Sequence, residues 1–197
     1  GAGGLLAVGG VDVEANQSGF ATQVIVGANN VLTAGATLTA QALNNARIVA
    51  GANQDSGGGI EVIVVNADAC LSGNGARVAI GANTAIEAEN IVLRAADVAV
   101  DVEATSYSKS YFRGAGKTYA TSMADADSTT LVEIQTGADL RASGGIALYS
   151  LQENFITYSK ADTAIMSGLT GSLYSTANNN LDAHADIATA TGTTMTT

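Results

Sequence analysis

Arg77-Val78-Ala79-Ile80-Gly81-Ala82-Asn83-Thr84-Ala85-Ile86-Glu87-Ala88 decides the fold, because close copies lie 54 residues to either side of it. Upstream the pattern reads Gln23-Val24-Ile25-Val26-Gly27-Ala28-Asn29-Asn30-Val31-Leu32-Thr33-Ala34. Downstream it reads Leu131-Val132-Glu133-Ile134-Gln135-Thr136-Gly137-Ala138-Asp139-Leu140-Arg141-Ala142. The apolar positions recur in step as Val24/Val78/Val132, Val26/Ile80/Ile134, Leu32/Ile86/Leu140 and Ala34/Ala88/Ala142. Ile187, Thr189 and Met195 repeat the spacing with one residue added, so a fourth copy begins near the C-terminus.

Within each copy the apolar residues alternate, which is the period of a strand, and Gly or Asn stands where a corner needs positive φ. A helical period would scatter Val98, Val100 and Val102 around a cylinder, whereas a strand lines them along one side. Strand, corner and strand at a fixed long interval mark stacked supersecondary units. The expected fold is therefore all-β, an elongated parallel β-solenoid (β-helix) of ~54-residue units. One continuous segment is expected over 1–197, with repeat cores at 23–42, 77–104, 131–151 and 185–197. Coils of solenoids commonly take roughly 18 to 25 residues, which predicts two or three coils per unit. Between the cores, Val11, Val13 and Ala15 should face inward with Asp12 and Glu14 outward. Gly51 to Gly59 reads as a loop, and Ile60 to Val65, apolar on both faces apart from Glu61, as a strand covered on its outer side by a neighbour or a partner molecule.

Composition agrees with a thin layered core. The chain holds 23 Gly, three Phe, no Trp and no Pro, with Ala, Val, Ile and Leu supplying much of its 47% hydrophobic content. A net charge of −10 repels phosphate backbones and excludes nucleic acid as the main partner. No apolar run reaches the ~18 residues that span a bilayer. Cys70 is the only cysteine, has no internal disulfide partner, and reads as a small buried apolar residue.

The pattern Val-x-Ile-Gly-Ala-Asn-x-x-Ile-x-Ala-x-Asn-Ile-x-Leu-x-Ala from Val78 to Ala95, followed by long Ala/Ser/Thr-rich strands and Gly-rich loops, resembles the repeats of giant bacterial surface adhesins. These are the filamentous-haemagglutinin-like and leukotoxin-A-like adhesins. The resemblance covers nearly the whole chain. It implies an exported, extracellular stalk or adhesive filament on a bacterial surface, and it brings no catalytic residues. The stretch Tyr107 to Lys117 departs from it in being more aromatic and basic.

That departure is the first candidate site. Tyr107, Lys109, Tyr111 and Arg113 share one face of a strand, with Lys117 and Tyr119 following. Aromatic rings beside cations stack on sugars or grip acidic partners, while an outward ladder of Tyr packed on a neighbouring coil is the plainer reading. A weaker candidate is Asp182, His184 and Asp186, which alternation places on one face. Residues two apart on a strand lie ~6.6 Å from each other, long for shared metal coordination, so a solvated face is the competing reading. Asp97, Asp101 and Glu103 are read as a third outward row and Asp125 with Asp127 as a fourth. Neither row carries the nonapeptide of a calcium-binding β-roll. No cofactor is expected.

The expected role is non-enzymatic, because the carboxylates spread along the repeats and no Ser/His/Asp or Cys/His set stands out. A purely structural self-assembling filament is the alternative, and a polysaccharide-acting β-helix enzyme is a minor one. The outward threonines do not recur in register, which argues against ice binding. Expected partners are neighbouring coils of the same long chain or head-to-tail copies, and surface glycans or host proteins. Nothing in the sequence resembles a cap at either end, so each end is expected to continue into a further coil.

Overall fold

In the computed structural model the described residues are 6–19, 21–167 and 170–197, and among them there are ten strands and no helix. Residues 1–5 of the glycine-rich start lie outside the described residues. The strands form one sheet in which every pairing is parallel, the arrangement of a parallel β-solenoid. They are β1 (Leu6–Ser18), β2 (Thr22–Val26), β3 (Val31–Thr33), β4 (Thr37–Asn74), β5 (Ala76–Ile80), β6 (Ala85–Ile134), β7 (Asp139–Gln152), β8 (Phe155–Ser167), β9 (Thr170–Thr189) and β10 (Thr194–Thr196).

The ladder joins each repeat directly to the next. Leu6 pairs with Ile60, Val24 with Val78, Val78 with Val132, Ile86 with Leu140 and Leu140 with Met195. A repeat unit is therefore one turn of the solenoid, and the expected two or three coils per unit are corrected to one. The turn is long because the chain runs out and back before it closes. Residues 46–52 and 63–71 of the same strand β4 share one core, so their inward faces oppose each other. Successive rungs stack ~4.8 Å apart, so three to four turns rise only ~17 Å, while a wall of about fourteen residues spans ~45 Å. The elongation of the described chain lies across the solenoid axis.

Each turn has two parts. In the head, short walls surround Val78, Ile80, Ile86, Ile91, Leu93, Val132, Ile134 and Leu140, with Val24, Val26, Leu32 and Leu38 packed against them. The predicted inward rows are thus the core. The corner between the first two walls uses Asn29 (φ 60), Asn83 (φ 54), Gly137 (φ 73) and Gly192 (φ 78), a left-handed residue at the same place in every turn. In the arm, an outgoing wall and a return wall enclose Ile48, Ile63, Val65, Leu71, Val100 and Val102.

A polar neck divides the two cores. Asn44, Asp97 and Gln152 stack in register there. Asn44 Nδ2 donates to Asp97 Oδ1 at 2.9 Å and Ser128 Oγ donates to Asp97 Oδ2 at 2.5 Å, with Asp97 fully buried. This corrects the expected outward row of Asp97, Asp101 and Glu103. Asn44 pairs with Asp97 but Asn45 pairs with Ala99, so Val98 is an extra residue that shifts the alternation by one. Asp97 then faces inward with Leu93 and Ala95, and Val98 leaves the line that Val100 and Val102 form.

Gly51 to Gly59, expected as a loop, belongs to β4 and pairs from Gly51↔Thr105 through Gly58↔Phe112. Polar composition suggests a loop there, yet the adjacent rung satisfies its backbone groups. Gly57 is needed by that rung, since a Cβ on it would lie 2.8 Å from the Tyr111 carbonyl oxygen. Cys70 is also corrected. It faces outward between Asn16 and Asp125 and is only partly buried. Burial first, then the Asp125 and Asp127 carboxylates, push its thiol above the ordinary value and keep it protonated. In the last turn Leu173, Leu181 and Ile187 face inward and are about half exposed, with no further rung over them among the described residues.

Candidate functional site

The candidate residues fall on two opposite surfaces, because the arm presents one outer face on each wall. Ser106, Ser108 and Ser110 are buried, so alternation turns Tyr107, Lys109 and Tyr111 to the outer face of the outgoing wall. The chain reverses beyond them. Thr118 and Ala120 are buried on the return wall, so Lys117 and Tyr119 face out on the other side. The side chain of Arg113 lies outside the described residues. The sequence patch is thus not one surface, since a reversal of the chain at the arm tip separates its two halves.

On the outgoing face, Lys109 Nζ sits 4.7 Å from the centre of the Tyr111 ring. Its hydrogen bond to Tyr111, followed by smaller charge interactions that include Asp55, holds the ammonium above its ordinary value. Parallel register brings the next turn alongside, with Tyr107 beside Asp162, Thr105 beside Lys160 and Glu103 beside Tyr158. Lys160 Nζ and Asp162 Oδ2 form a 2.7 Å ion pair. Asn53, Thr105, Tyr107, Lys160 and Asp162 edge an open groove of about 350 Å³ over Gly51. Tyr107 is the aromatic side chain on its lining, while Tyr158 and Tyr111 lie outside the lining on the same outer face, exposed by 45% and 44%. The sequence reading missed Asn53, Tyr158, Lys160 and Asp162. Asp162, the residue paired with Tyr107, lies 55 positions on, so the 54-residue interval carried forward from Tyr107 falls on Ala161 and misses it by one.

On the return face, the Tyr119 ring lies over Tyr174 of the next turn, with centres 4.8 Å apart and planes 9° apart. That is the rung-to-rung Tyr ladder. Acidic side chains follow it toward the neck. Asp12, Glu14 and Asp68 bring one carboxylate oxygen each within 4.8 Å of one another. Asp182, His184 and Asp186 share the outward face, as alternation predicts. His184 Nε2 lies 2.9 Å from Asp182 Oδ1 with both side chains 60% exposed, and Asp186 does not complete a three-ligand cluster with them among the described residues.

A larger hollow, about 530 Å³, lies at the head corner beside Glu87, Glu89 and Arg141 and has no aromatic side chain on its lining. The outgoing face of the arm is therefore where stacking surface and hydrogen-bonding groups coincide. Compared with known families, with curated proteins and with solved structures, the chain matches none.

Proposed function

We propose that this chain is a non-enzymatic segment of an extracellular bacterial surface protein, a stalk or filament whose arms carry an adhesive face. The observation that carries the reading is the identity of repeat and turn. One 54-residue unit adds one rung in register, so length is gained by repetition with no new fold to encode. The resemblance of the head repeats to filamentous adhesins points the same way. Neighbouring coils, of the same chain or of stacked copies, are the partners such a ladder takes. The outward carboxylates spread along the rungs and do not converge in the groove, where an acid and a base would have to face each other.

The groove beside Tyr107 suits a glycan. Ring faces stack on the apolar side of a sugar, and Asn53, Lys160 and Asp162 offer hydrogen bonds around it. A purely structural role is the second reading, and the Tyr119–Tyr174 stack between turns favours it. The two differ in one experiment, in which the chain carrying Tyr107→Ser, Lys109→Ser and Tyr111→Ser together is compared with the parent on a glycan array and by thermal unfolding. Adhesion predicts at least ~10-fold weaker binding, equivalent to ~1.4 kcal/mol, with little change in Tm. A fall in Tm with no glycan bound by the parent would give the structural reading instead.

A further inference from the structure

Beyond the surface role, we propose that the interior of the arm near its tip is a binding site for a hard monovalent cation, with Na⁺ as the matching chemistry and Glu61 Oε1 as the charged ligand. Glu61 is 1% exposed and lies on an inward face, where its Oε2 accepts a hydrogen bond from Ser110 Oγ. Its Oε1 has no hydrogen-bond partner among the described residues. The same is true of Gln54 Oε1 and of the Ser56, Ser108 and Thr118 hydroxyls. Ser108 and Thr118 are fully buried and Ser56 nearly so.

The register gathers these atoms. Ser56 pairs with Ser110, Gln54 with Ser108 and Glu61 with Gly116, while Thr118 follows Gly116 on the return wall. Neighbours across the ladder stand ~4.8 Å apart and next-but-one neighbours along it ~6.6 Å, so five unpartnered oxygens line one short length of the interior. An ionised carboxylate there costs several kcal/mol unless a positive charge or several donors meet it. The arginines and lysines in the ion pairs of the described residues, Arg47, Arg77, Arg94, Arg141 and Lys160, are held by acidic partners on outer faces.

Ligand type and charge select the guest. Carboxylate, amide and hydroxyl oxygens suit a hard cation, and a single formal negative charge is neutralised by a single positive one. A divalent ion would leave net charge in the interior. There is room for an ion, because the ladder neighbours of Glu61 are Ala7 and Gly116. A hollow of about 330 Å³ opens on the outer face of the return wall, where Glu61 and Gly116 line it together with the outward-facing Ile60, Val62 and Lys117.

Two measurements on the full chain test this. Crystals soaked in Tl⁺ should show one anomalous peak inside the arm in contact with Glu61 Oε1. Replacing choline chloride by NaCl at constant ionic strength should raise Tm, by roughly 5 °C or more at a hundredfold excess over Kd, and Glu61→Gln should abolish that rise. Thr118→Val, which deletes one ligand oxygen and keeps the shape, should reduce it and serves if Glu61→Gln does not fold. Ordered water alone at the Tl⁺ position, or the same Na⁺ dependence in the variants as in the parent, would overturn the proposal.

Discussion

The head and the outer half of the arm are built on the same alternation, yet they bury opposite chemistries. Inward positions of the head are Val78, Ile80, Ile86, Ile91 and Leu93, and Thr84, the polar side chain buried between Ile80 and Ile86, donates its hydroxyl to the Gly27 carbonyl oxygen. Inward positions of the outer arm are Ser56, Glu61, Ser106, Ser108, Ser110 and Thr118. In a solenoid the ladder satisfies the backbone whatever the side chains are, so a wall can stay in register without an oily filling. Side-chain burial then adds stability in the head through apolar area and leaves unmet hydrogen-bonding groups in the outer arm.

The largest effect that would test this contrast is in the head. Ile80→Asp puts an unpaired charge into the row Val26/Ile80/Ile134 and should cost on the order of 3 to 5 kcal/mol, read from denaturant unfolding. A cost below ~1 kcal/mol would remove the head as the main source of stability. The neck comes next. Asp97→Ala takes away the acceptor to which Asn44 and Ser128 donate and should cost about 1 to 3 kcal/mol. Unchanged stability would mean that the two cores do not depend on this network. The smallest change is expected in the arm, where Ser122 is fully buried and its Oγ has no hydrogen-bond partner among the described residues. Ser122→Ala should be neutral or stabilising by less than ~1 kcal/mol, since it removes an unmet hydroxyl and little volume. A loss comparable to that of Asp97→Ala would show that the arm interior is as tightly specified as the neck.

The same contrast explains which site residues could be read in advance. Tyr107, Lys109 and Tyr111 follow from alternation within one wall, a local property. Lys117 and Tyr119 were grouped with them because sequence distance does not reveal a reversal of direction between Tyr111 and Lys117. Lys160 and Asp162 join the groove, and Tyr158 the outer face around it, only through pairing with residues about 55 positions earlier. Glu61 looked like the one polar interruption of an apolar strand. Its burial depends on Ala7 and Gly116, the small neighbours that the ladder sets on either side of it.

By itself the sequence determined the repeat, the strand period, the inward rows of the head and the left-handed corner at Asn29, Asn83, Gly137 and Gly192. These are local or strictly periodic, and each residue states its preference without knowledge of its neighbours in space. Only the tertiary structure decided that a unit is one turn, that Gly51 to Gly59 is strand, that Asp97 turns inward past the bulge at Val98, and which walls share an interior. Those depend on pairing between residues some 54 positions apart and on one inserted residue, which reverses every inward and outward assignment beyond it until the next shift.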